Sequence, residues 1–204
     1  QSHGITKVPN HLVYNAIDEN FLSNALPKEK NERPSHVLMV CSLKAYKGLY
    51  EFIQLAQDHK DYSFRLVLNA GQVEIDSFFT GQHFPQNLKV YPSQKNLHPF
   101  FQWADVIVNL SRPDGWIETF GLTIIEGMAY GLPAIVPPVG GILEVIEDGV
   151  TGFSVDSRDR NALNKKLKKL MENPTHHKSR TEAAYKRLDK FKEKAMLGRI
   201  NSIV

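Results

Sequence analysis

Short apolar runs alternate with longer amphipathic stretches along this chain, and the alternation predicts its architecture. Residues 35–41 (SHVLMVC) form a first apolar run behind turn residues. A helical pattern follows over residues 49–59, then a second run over 64–71 (FRLVLNAG). A short helix is expected over 73–79 and a third strand over 88–92 (LKVYP). Residues 97–104 read as a helix, 106–110 (VIVNL) as a fourth strand and 122–130 as a helix closed by Gly131. A fifth strand is expected over 132–137, a short helix over 142–147 and a sixth strand over 152–155. The tail is helical over 160–173 and 174–197, with a break at Pro174. Runs of Val, Ile and Leu without alternation suit strands buried on both faces. Their regular interleaving with helices predicts an α/β fold: a doubly wound, mostly parallel sheet of about six strands with helices on both faces, Rossmann-like.

Such sheets bind ligands beyond the carboxyl ends of their strands. That directs attention to the loops at 42–48, 69–73, 111–121 and 138–141. Composition narrows the chemistry. The 204 residues suit one sizeable domain or two small ones, and a net charge of +3 is too weak to argue for nucleic acid. No stripe of basic and aromatic residues appears. The basic stretch at 165–170 reads as a solvated helix face. The single cysteine, Cys41, excludes an internal disulfide and suits a reducing compartment. No apolar stretch reaches membrane-spanning length. Gln1, Ser2 and His3 read as the scar of a cleaved expression tag on an excised piece of a longer protein.

Several familiar motifs are missing. No two glycines stand two apart, so there is no G-x-G-x-x-G, and neither a P-loop nor a G-x-S-x-G elbow occurs. No Asp-x-Asp pair is present, and the cysteine and histidines lack metal-ligand spacing. Phosphate handling therefore falls to helix ends and basic side chains.

The segment GWIETFGLTIIEGMAYG, starting at Gly115, carries two acids eight residues apart. A helix starting at Gly121 leaves its first N–H groups without internal partners, and its dipole favours an anion. Gly121, Leu122 and Thr123 can offer backbone N–H groups to a diphosphate. Glu126, a turn further on among apolar neighbours, can accept two hydroxyl hydrogen bonds from a ribose. Glu118, on the loop before the helix, can accept from sugar hydroxyls. The bland alternative is that both acids serve the helix dipole and caps. Glu126 argues against it, because a buried carboxylate wants a partner.

The stretch over residues 118–156 (ETFGLTIIEGMAYGLPAIVPPVGGILEVIEDGVTGFSVD) resembles the E-x7-E signature and its sequel in group 1 retaining glycosyltransferases of the GT-B fold. Lys47-Gly48 resembles the family's K-G after the first strand, and residues 14–18 (YNAID) resemble its N-G-[VI]-D at the domain entry. The resemblance covers about residues 10–175. It implies that Glu126 holds the ribose and that Glu118 contacts the donor sugar as the catalytic-site carboxylate. It also implies that Lys47 and the backbone of Phe120, Gly121, Leu122 and Thr123 meet the diphosphate. No metal or cofactor is implied beyond the donor, a nucleotide diphosphate sugar such as a UDP- or GDP-hexose.

The implied organisation is a lead-in over residues 1–30 from a missing N-terminal domain, a nucleotide-sugar-binding domain over 31–175, and a C-terminal helix over 176–204 packing back towards that missing domain. The partner would thus be the acceptor-binding half of the same protein, which would also carry any peripheral membrane contact at the cytoplasmic face. The full enzyme would move a hexose to a sugar or lipid-linked acceptor, and this piece alone would turn over little. Exposed apolar surface is expected on the crevice side.

The sequence departs from the family at Ser42, where an arginine often stands, and in the longer segment at 111–117 (SRPDGWI). Lys44 or Arg112 would then supply the second charge. Trp116 would shape a pocket or simply pack. These departures keep open a non-catalytic nucleotide-sugar-binding module of the same fold, or another GT-B-like enzyme such as an epimerase. A phosphorylase would bring a cofactor lysine environment, which is not found.

Overall fold

The computed structural model describes residues 11–26 and 33–203. The suggested tag scar and residues 4–10 and 27–30 of the lead-in lie outside the described residues. The elements are α1 (Glu19–Ser23), β1 (His36–Ser42), α2 (Leu49–Asp58), β2 (Ser63–Asn69), α3 (Gln72–Phe78), β3 (Leu88–Tyr91), α4 (His98–Trp103) and β4 (Val106–Val108). They continue with α5 (Leu122–Met128), β5 (Ala134–Val136), α6 (Ile142–Val145), β6 (Gly152–Ser154), α7 (Arg160–Met171), α8 (Pro174–Leu188) and α9 (Glu193–Asn201).

The six strands form one sheet in the order β3-β2-β1-β4-β5-β6, every neighbouring pair parallel. The expected fold is thus present. Both sheet faces are buried, which is why the strands read as unbroken apolar runs. Val37 and Met39 of β1 join the core beneath α2, α3 and α7. Leu38 joins the second core, beneath α4, α5 and α8. The strand order reverses between β1 and β4, so the carboxyl ends of these two strands flank the crevice where such folds take ligands.

Three features differ from expectation. A short helix, α1, precedes the sheet, capped by Asp18, whose carboxylate accepts from the Phe21 N–H at 3.1 Å. Ile17, beside it, is buried in the second core. The long tail helix is interrupted: α8 ends at Leu188, a 3-10 turn covers Asp189–Phe191, and α9 restarts at Glu193. Phe191 causes the break. Its ring is buried against Tyr14 and Phe120, and its carbonyl accepts from the Ile17 N–H at 2.8 Å. Strands β2 to β6 each end one or two residues before the bounds their apolar runs suggest.

Candidate functional site

Glycines set the scaffold at the end of β4. Gly48 ends the 3-10 turn Ala45–Lys47 with φ 80°, and a Cβ there would lie 2.2 Å from the Leu110 carbonyl oxygen. Only a glycine lets the turn lie this close to the chain leaving β4, and that approach carries Lys47 over the strand end. The Gly140-Gly141 turn acts in the same way from the other side. Cβ atoms there would lie 2.3 Å from the Glu118 carbonyl oxygen and 2.0 Å from that of Thr119. The loop bearing Glu118 is therefore held between two close backbone contacts.

Lys47 and Glu118 meet: Lys47 Nζ donates to Glu118 Oε2 at 2.7 Å. Asn109 Nδ2 and Ser111 Oγ donate to the same oxygen at 3.2 and 3.0 Å. Among the described residues no donor reaches Glu118 Oε1. Burial works to raise the Glu118 pKa, but the hydrogen bond from Lys47, helped by Asn109 and Ser111, outweighs it and holds the carboxyl below its usual value. Asn109 and Ser111 were not expected as site residues. The available signal was their place: two small polar residues at the end of an apolar strand, just before the Glu118 loop.

Glu126 is the opposite case. Helix α5 lies tight on β4 because Gly127 has no Cβ; one would sit 3.0 Å from Ile107 Cγ2. Glu126 therefore projects over the sheet between buried neighbours Ile124, Ile125, Gly127 and Met128. Its carboxylate receives no hydrogen bond among the described residues. It lines a cleft of about 330 Å³ together with Ser42, Asn69, Gln94, Leu97 and Thr123. Burial alone pushes its pKa up to about 7. Cys41 also lines this cleft, its thiol pushed up to about 12, chiefly by burial.

The remaining expected residues are divided. Gly121 caps α5 at φ 93°, and the space of its missing Cβ is filled by Ile142 Cγ1 at 2.7 Å. Its glycine identity thus follows from φ and from packing, not from an open approach for ligand. Among the described residues, the N–H groups of Gly121, Leu122 and Thr123 donate to no protein acceptor. The Leu122 side chain is exposed. The Phe120 ring packs on Phe191 and lines a separate hollow of about 250 Å³ with Tyr14 and Glu144. There the Glu144 carboxylate, beside the Tyr14 hydroxyl, raises the tyrosine's pKa. Of the two cations considered as substitutes for the arginine, Lys44 is exposed. Arg112 faces Glu51 at 3.7 Å and Asp114 at 3.9 Å. Ser42 lies in the wall of the Glu126 cleft. No helix among the described residues is long and apolar enough to cross a membrane.

The chain spans about half the length of two curated relatives that it matches along most of its own. It is 31% identical over 189 residues to an uncharacterized 41.2 kDa protein of the cps region of Klebsiella pneumoniae, covering 85% of this chain and 48% of that one. It is 26% identical over 197 residues to N-acetyl-alpha-D-glucosaminyl L-malate synthase of Bacillus anthracis, covering 90% and 50%. HepE of Anabaena, solved in complex with UDP and glucose, shares the fold with a TM-score of 0.75 at 18% identity, over 94% of this chain and 55% of that one. Residues 23–187 match the family described as glycosyl transferases group 1. With that match spanning most of its length, the chain belongs to the group 1 glycosyltransferases, whose GT-B fold it shares.

Proposed function

We propose that this chain is the donor-binding half of a retaining glycosyltransferase that moves a hexose from a nucleotide diphosphate sugar to a sugar or lipid-linked acceptor. One observation carries the reading: Glu126 stands in a cleft, half-buried and without a partner among the described residues. An unpartnered carboxylate in a partly apolar site costs stability unless a ligand supplies donors. A ribose diol supplies two.

The rest follows in space from that anchor. A diphosphate extends from the ribose to the free N–H groups of Gly121, Leu122 and Thr123 and to Lys47. Glu118 Oε1 then accepts from hydroxyls of the hexose. In the transfer step the bond between the sugar C1 and the diphosphate oxygen breaks, and its electron pair leaves with the diphosphate. Lys47 and the backbone donors stabilise that charge, a contribution larger in a water-poor site than in solvent. The acceptor oxygen bonds to C1 on the face the diphosphate leaves, and its proton passes to the departing diphosphate oxygen.

The acceptor site belongs to another half of the protein. Leu12, Ile117, Leu122, Val139 and Leu143 are exposed around this end of the domain and form a surface for that half to cover. A cytoplasmic location at a membrane face fits such an enzyme, and the other half would make the membrane contact. A binding module without transfer is the second reading. Ser42 in the cleft wall motivates it, since among the described residues Lys47 is then the one cation joined to Glu118.

The test is a thermal-shift panel with UDP, GDP, ADP, CMP and their sugars, on the chain and on Glu126→Ala. Ligand at 100-fold its Kd adds about 2.7 kcal/mol, or about 5–10 °C for a domain of this size. A shift with one nucleotide, lost in Glu126→Ala, is the expected result. No shift with any nucleotide, in this chain and in the protein extended by its other half, would sink the reading. Donor binding by that extended protein without sugar transfer would favour the second.

A further inference from the structure

The loop at residues 111–117 builds a feature that the donor reading does not use. Its turn is closed by the Gly115 and Trp116 N–H groups, which both donate to the Arg112 carbonyl at 3.0 Å. The Arg112 N–H in turn donates to the Tyr46 carbonyl at 2.7 Å, fastening the loop to the Lys47 turn. Gly115 leaves the Tyr46 ring room: a Cβ at Gly115 would lie 2.5 Å from Tyr46 Cβ. The result is a stack of Trp116 on Tyr46, ring centroids 6.0 Å apart and planes 22° from parallel. Lys47 Nζ lies 5.7 Å from the Trp116 ring and 5.9 Å from that of Tyr46.

A tryptophan kept only for packing hides its indole. Trp116 is 46% exposed. It stands next to the ammonium that holds Glu118, and Glu118 Oε1 has no donor among the described residues. A flat apolar face beside an open hydrogen-bond acceptor matches a pyranose ring, which offers C–H groups on one face and hydroxyls around its rim. A lipid chain has no use for the carboxylate. A nucleobase would fall at the other end of the ligand, beyond Glu126.

We propose that Trp116, braced by Tyr46, is a stacking ledge for the apolar face of a pyranose whose hydroxyls reach Glu118. The proposal rests on the donor-binding reading and names the residue that recognises the sugar, as distinct from the nucleotide. The sugar comes either from the donor or from an acceptor, and the two are separable by titration.

Calorimetry on the chain would use UDP with UDP-glucose and GDP with GDP-mannose, for the unsubstituted protein, Trp116→Ala, Trp116→Leu and Trp116→Phe. The readout is the ratio of nucleotide Kd to nucleotide-sugar Kd. In a second arm, methyl glucoside or methyl mannoside is titrated into the nucleotide-saturated protein. The expected result is a loss of sugar-dependent affinity in one arm, about fivefold to tenfold in the Ala and Leu variants, retained largely in Phe. Loss in the first arm assigns the ledge to the donor hexose, and loss in the second to an acceptor sugar. The ledge is overturned if neither arm changes, if the unsubstituted protein shows no sugar-dependent affinity, or if Trp116→Ala weakens the nucleotide alone by the same factor. Absence of any nucleotide binding would instead overturn the donor reading itself, and the ledge with it.

Discussion

Glu118 and Glu126 are the same residue type, eight positions apart, and the fold treats them in opposite ways. Glu118 accepts from Lys47, Asn109 and Ser111 through one oxygen, and its pKa lies below the usual value. Glu126 accepts from nothing among the described residues, and burial raises its pKa to about 7. The first carboxylate is part of what holds its loop in place. The second is a cost the fold carries, of the kind that marks a site awaiting a ligand. A motif that names both acids cannot distinguish these states, because the difference lies in what the neighbouring strand ends present to each.

The strongest way to break the contrast is to move the Glu118 loop. Gly140 has φ 96°, and a Cβ there would lie 2.3 Å from the Glu118 carbonyl oxygen. Gly140→Ala adds backbone strain to a backbone clash, and about 3–5 kcal/mol of stability is expected to be lost. Thermal unfolding followed by circular dichroism would show a midpoint lower by on the order of 10 °C. Gly198→Ala is the matched control: it lies within α9, with nothing within 4 Å of its added Cβ. It is expected to be neutral or slightly stabilising. Equal effects at the two glycines would mean that the close contact under Glu118 does not exist in solution.

Next in size is the contrast between the acids themselves. Glu118→Ala leaves the Lys47 ammonium, only 15% exposed, without its counter-charge, and leaves Asn109 and Ser111 without their acceptor. A loss of about 2–4 kcal/mol is expected, the lower end reflecting partial solvent access. Glu126→Ala removes an unpaired, charged carboxylate at pH 8 and, with its lost packing offsetting part of the gain, is expected to be neutral or stabilising. Urea unfolding of both variants at that pH measures the difference. If the two losses were equal, Glu126 would have a partner in solution and its role as a reserved acceptor would fall.

The legible and illegible parts of this molecule divide along the same physical line. The six strands could be read because burial on both faces requires uninterrupted apolar runs such as those around Leu38 and Ile107, a demand local to each segment. The start of α5 at Gly121 could be placed from the apolar pattern that follows it, whereas the K-G turn was marked only by its resemblance to the family motif. What could not be read depends on distant partners. The break before α9 follows from Phe191 docking against Tyr14 and Phe120, residues far away in the chain. Helix α1 is five residues long and exists by its Asp18 cap and its packing, not by propensity. The engagement of Glu118 required Asn109 and Ser111 to point at it from the chain leaving β4. The reason for Gly121 required Ile142, brought there by the Gly140-Gly141 turn.

The finest test reads the two acids through pH. The Glu126 carboxyl keeps its proton in the folded chain up to about pH 7, while in the unfolded chain it releases it near the usual 4.5. The folded state therefore binds more protons between those values, and stability falls as pH rises through that window. Its contribution is fully present below pH 4.5 and lost above pH 7. Glu118 has the opposite sign: its stabilisation is present above the usual carboxylate value and lost as pH falls through its lowered one. Replacing Glu126 by Gln removes the first slope and keeps the second. The difference in unfolding free energy between Glu126→Gln and the unsubstituted chain is expected to grow by about 2 kcal/mol from pH 4.5 to pH 8, a figure reduced for partial solvent access. A bound nucleotide should erase the same slope, since diol hydroxyls donate to the carboxylate and favour its charged form. A difference curve that stays flat between pH 4.5 and 8 would mean that Glu126 is solvated, and the contrast with Glu118 would be lost.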